Sequence, residues 1–135
     1  MDFAEEVQDK LFWRMRRIAE AVEEVWGEGP EGIFFWVRYA RRLGAILGAG
    51  VKPAPPWEVP REVLHEVKRL IGWEGSELAL RFGVRALRIR FADMPGLVFW
   101  LVFDYQEGGR LPNFTVVVIH EAPSSLSSES SGLRG

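Results

Sequence analysis

The imidazoles and hydroxyls that nucleophilic or near-neutral proton-transfer chemistry uses are few in this chain, two histidines, one serine and one threonine before the C-terminal tail, against fourteen arginines that could hold a phosphate. Nucleophilic catalysis needs a hydroxyl or thiol beside a base. There is no cysteine, Ser76 reads as a helix N-cap and Thr115 as a strand residue, so a serine, cysteine or threonine triad is excluded. Metal chemistry fares no better. His65 and His120 lie 55 positions apart, and neither belongs to a ligand pattern such as two histidines four apart with a glutamate. His65 reads as a helix-surface residue and His120, beside Glu121, as the polar end of a strand. Gly44, Gly48 and Gly50 follow a helix, whereas a dinucleotide fingerprint requires a preceding strand. No cofactor and no metal are indicated.

The arginines are the remaining chemistry. Net charge is −2 overall, but residues 1–30 sum to −4, residues 31–90 to +5 and residues 91–135 to −3. Arg38, Arg41, Arg42, Lys68, Arg69, Arg88 and Arg90 make the middle basic, which gives nucleic-acid association as a second functional expectation. The simpler account is compensation of acidic neighbours within one fold. Arg85, Arg88, Arg90 and His120 together have the acid, base and phosphate-facing character that metal-independent RNA cleavage uses. In its rhythm, Ala86-Leu-Arg-Ile-Arg-Phe91 followed by an apolar strand is similar to the sheet of RelE-like ribonuclease toxins, and the resemblance implies that activity. Those toxins are usually basic, begin with a strand and carry an arginine in the second strand of this pattern. This chain is acidic, begins with helices and has Leu97, Val98 and Phe99 there, so no catalytic residue carries over.

The elements that must position these groups are legible in the apolar periodicity. Phe3, Val7, Leu11, Met15, Ile18, Val22 and Val25 recur every three or four residues, which predicts a helix over 2–26 with Asp2 as N-cap and Gly27, Gly29 and Pro30 ending it. A second helix is expected over 31–47, with Trp36, Ala40, Leu43 and Leu47 on one face; Ile33 to Val37 alone also suits a strand. Gly44 and Gly48, four apart, either admit a close backbone or mark a fraying helix end. Val51 to Val59 is proline-rich and reads as a loop. Pro60 opens a third helix with Val63, Leu64, Val67, Leu70 and Ile71 inward, and a short helical turn is expected from Ser76 through Phe82.

From Ala86 the period changes to two. Three strands are expected: Leu87 to Phe91, Leu97 to Tyr105 and Phe114 to His120, joined by a turn at Asp93 to Gly96 and a loop over 106–113. The central strand, Leu-Val-Phe-Trp-Leu-Val-Phe, is apolar on both faces. One face carries Phe99, Leu101 and Phe103 and belongs under helices. The other gathers Val98, Trp100, Val102, Thr115, Val117 and Ile119 beside Arg88 and Arg90. Leaving six such side chains in water forgoes roughly 1.5–3 kcal/mol each, too much for a domain stable by about 5–15 kcal/mol. Either a helix crosses to that face, or those eight residues form an interface with a second copy or another protein.

The expected fold is therefore α+β: three N-terminal helices packed on a C-terminal three-stranded antiparallel β-meander, one domain over residues 1–121, with 122–135 a disordered serine-rich tail. The expected function is a non-enzymatic interaction or accessory subunit, homo-oligomeric or bound to a protein partner. A small-molecule pocket between helices and sheet is a further possibility. The acidic, amphipathic N-terminus is unlike a secretory signal and no apolar run is long enough to span a membrane, which makes the cytoplasm the expected location. One asparagine, two glutamines and no cysteine suit a thermophilic source.

Overall fold

The computed structural model describes residues 3–27, 33–71, 84–104 and 114–121. Its elements are α1 (Phe3–Trp26), α2 (Ile33–Leu47), β1 (Gly50–Ala54), a 3₁₀ turn (Pro56–Glu58), α3 (Arg61–Ile71), β2 (Val84–Arg90), β3 (Leu97–Asp104) and β4 (Phe114–His120). The class is α+β, as the periodicities require. The sheet, however, has four strands in the order β1-β2-β3-β4, all neighbours antiparallel. The three-stranded meander is thereby corrected, and one strand precedes the third helix. Asp2, the turn expected from Ser76, the loop over 106–113 and the tail from Ala122 lie outside the described residues.

β1 falls within the stretch read as a loop because of its prolines. A proline is tolerated in a strand whose N–H would face away from the sheet, at an edge. The Glu121 N–H donates to the Gly96 carbonyl (2.7 Å). Counting by twos through the register from that bond, Gly50, Lys52 and Ala54 bond β2, whereas Val51 and Pro53 face outward.

Gly44 and Gly48 have separate tasks. Gly48 takes a left-handed φ of 63° and the Ala49 N–H donates to the Gly44 carbonyl (3.0 Å), the six-to-one bond of a Schellman cap. A Cβ on Gly44 would lie 2.9 Å from the Ala49 carbonyl oxygen and 3.6 Å from Val51. The close-approach reading is therefore the one realised: the chain turns back immediately and lays β1 against α2. Pro95 and Gly96, the latter at φ 87°, form the β2–β3 turn, closed by the Leu97 N–H on the Met94 carbonyl (3.3 Å). Proline followed by a positive-φ glycine is the signature of a type II turn.

Both faces of β3 are covered, by different helices. Phe99, Leu101 and Phe103 join Leu87 and Ile89 beneath α1 and α2. There Trp26, Trp36, Tyr39 and Phe103 form an aromatic cluster with centroid separations of 5.3 to 5.9 Å, within the range of favourable ring contacts. Burial holds the Tyr39 phenol far above the usual tyrosine range, so it stays protonated. Among the described side chains of α1, those sealed into this core begin at Ile18; Leu11 packs against it half-buried, Met15 is partly exposed, and Phe12 and Trp13 face solvent.

α3 lies on the opposite face. Val63, Leu64 and Val67 pack with Val98, Trp100, Val102 and Val117, and with Ala54, Val59 and Ala86. Of the two ways to cover the second face, a crossing helix is the one realised. The eight residues expected to form an interface do share that side, but Trp100 is 5% exposed and Val102 0%. Val98, Trp100, Val102 and Val117 are sealed beneath α3, which cannot be displaced without returning them to water, while Thr115, Ile119 and Arg88 are half-buried and Arg90 is exposed.

Candidate functional site: the β4 edge and the α3 groove

What α3 leaves accessible is the margin of the sheet. Between α3 and β4 runs a groove of about 720 Å³, lined by Arg61, Glu62, His65 and Glu66 from the helix and by Val117, Val118, Ile119 and His120 from the strand. The helical residues follow from the periodicity that buries α3: with Val63, Leu64 and Val67 against the sheet, positions 61, 62, 65 and 66 flank the buried stripe. Pro60 starts this helix from just outside it, its carbonyl accepting the Val63 and Leu64 N–H groups (3.0 and 3.2 Å). Thr115 and Ile119, two of the expected interface residues, are half-buried along this margin, and Val117 is nearly sealed beneath it.

The groove collects both histidines, which the sequence separates by 55 positions. Among the described residues, no group of three or more histidine, aspartate or glutamate side chains is placed to hold a metal ion. Glu66 accepts from the Arg69 guanidinium (Nε to Oε1, 2.9 Å). That hydrogen bond, helped by the Arg69 and His65 charges, holds its carboxyl below the usual range. Glu121, expected as the partner of His120, is engaged elsewhere: Arg90 donates to it through both terminal nitrogens (2.7 and 2.9 Å). This bidentate pair lowers the Glu121 carboxyl, chiefly through the hydrogen bond.

The two edges of the sheet differ in kind. β1 carries Lys52 and Pro53, which discourage another strand from adding. β4, Phe-Thr-Val-Val-Val-Ile-His, has five β-branched residues in seven, no proline and no carboxylate, lysine or arginine. By the alternation fixed at Glu121 and Gly96, Thr115, Val117 and Ile119 bond β3, and the N–H and C=O groups of Phe114, Val116, Val118 and His120 face outward. Among the described residues, no strand pairs with that edge. A seven-residue segment of this composition is a template for strand addition. The apolar, β-branched composition of β4 is legible in the sequence; the contrast with β1 is not, because Pro53 makes that stretch read as a loop.

The basic residues do not converge. Arg38, Arg41 and Arg42 belong to α2, on one side of the sheet, and Lys68 and Arg69 to α3, on the other. Arg88 is half-buried and Arg90 is tied to Glu121. A shallow hollow of about 600 Å³ between α2 and β1 has Arg41 and Arg90 among its lining residues. Among the described residues no helix is long and apolar enough to cross a membrane.

Comparison with protein-family models, with curated proteins and with solved structures finds no match to this chain. The class is therefore defined by its own geometry. It is an α+β protein whose antiparallel sheet is covered on both faces and, among the described residues, has one edge strand that carries lysine and proline and one that carries neither.

Proposed function

We propose that this chain is a non-enzymatic interaction subunit that receives an extended polypeptide strand on the outer edge of β4, beside the α3 groove. The observation carrying this reading is the asymmetry of the sheet: Lys52 and Pro53 guard one edge, while the β-branched run from Thr115 to Ile119 leaves the other unguarded. Strand addition draws affinity from backbone hydrogen bonds and selectivity from alternate side chains. Here Thr115 and Ile119, half-buried on this margin, and the polar rim of α3 supply the second. The test is amide hydrogen exchange at Val116, Val118 and His120, whose N–H groups face outward. Their exchange slows when the protein is concentrated or placed in an extract of its source, while the inward amides of Val117 and Ile119 are already slow. Outward amides that exchange freely under both conditions refute the proposal.

A further inference from the structure

We infer that the strand received at the β4 edge belongs to a second copy of this chain, paired β4 to β4 about a two-fold axis near Val117; this rests on the edge reading above. The first support is register. An antiparallel pair centred on Val117 sets Val116 opposite the partner's Val118 and Phe114 opposite the partner's His120. Those are the positions whose backbone groups face outward, so each side offers donors where the other offers acceptors, for roughly eight inter-strand hydrogen bonds at two per bonded pair. β-branched residues then meet β-branched residues across the seam, a favourable cross-strand pairing.

The second support is charge. An axis normal to the sheet brings the two α3 helices, each lying against its own β4, side by side and antiparallel. Along the groove α3 reads Arg61, Glu62, His65, Glu66. When two such runs meet in reversed order and centred on one another, Arg61 faces the partner's Glu66 and Glu62 faces the partner's His65. A surface that is complementary to itself under reversal is what an isologous interface requires.

Analytical ultracentrifugation of the full chain decides it. The wild type sediments as a dimer at roughly 100 μM, a hundredfold above a micromolar Kd. Val118→Pro removes an outward N–H without touching the β3 ladder and sediments as a monomer with its circular dichroism unchanged. Because that variant perturbs the backbone, exposed charges give an independent reading. Arg61→Glu and Glu66→Arg each weaken the dimer by roughly two- to thirtyfold, since the axis doubles every lost pair, and the combination restores it. A wild type that stays monomeric, or a dimer indifferent to both kinds of change, overturns the inference. If the monomer's outward amides nonetheless slow in extract, the partner is a different protein and the edge reading stands.

Discussion

Whether the second face of the sheet is sealed turns on α3, and Val67→Ala tests it. Val67 is 0% exposed and sits in the cluster that contains Trp100 and Val102. The change removes two methyl groups, about 1.6 kcal/mol of transfer free energy at about 0.8 per methylene. A residual cavity of roughly 40 Å³ adds about 1 kcal/mol. The expected loss is therefore about 2.5 kcal/mol, a downward shift of more than about 1 M in the urea midpoint with the slope unchanged. α3 has only 11 residues, too few to be stable as an isolated helix, so its helicity depends on this docking. Trp57→Ala is the control: at 81% exposure it should change stability by less than about 0.5 kcal/mol. A loss below about 0.5 kcal/mol for Val67→Ala would refute the seating of α3. Val98, Trp100 and Val102 would then be free to form the broad interface that the strand pattern alone suggests.

Gly44→Ala should destabilise, against the gain of about 1 kcal/mol that alanine ordinarily brings to a helix interior, because its Cβ would meet the Ala49 carbonyl at 2.9 Å; a raised melting temperature would contradict the close approach of β1. Gly48→Ala, in open space at φ 63°, should cost only the left-handed penalty of roughly 1–2 kcal/mol, read from the same melting curves. Arg90 lowers the Glu121 carboxyl, so this pair stabilises the fold at neutral pH and the contribution is lost as pH falls through the depressed value, below the ordinary glutamate range. Both side chains are 47% exposed, and solvent screening limits the effect to a few tenths to about 1 kcal/mol; Glu121→Gln and wild type should differ by that amount at neutral pH and converge in acid. Since the basic residues are split between two sides of the sheet, with at most four of them on one side, any binding to DNA should weaken with salt at a log–log slope no steeper than about −4. A steeper slope in a salt titration would show that the two clusters act together.

Much of the architecture follows from local pattern. Apolar spacing in α1, α2 and α3 and the period-two runs of β2, β3 and β4 fix those elements within a few residues, because burying one face imposes 3.6- or two-residue periodicity on the chain itself. The turn at Pro95 and Gly96 is legible for the same local reason. β1 was not, since Pro53 argues against a strand until its place on an edge is known. The grouping of Val98, Trp100, Val102, Val117 and Ile119 on one side was also available from alternation. Their covering was not.

Sequence by itself determined which residues share a face and that both faces of β3 had to be covered. Tertiary structure decided that α3 supplies the second cover, that Gly44 admits β1 against α2, and that the apolar run from Thr115 to Ile119 forms the last strand of the sheet among the described residues, beside the polar side of α3. Periodicity records the orientation of each side chain relative to its own backbone, whereas the occupant of the space beyond it depends on contacts between residues far apart in the chain.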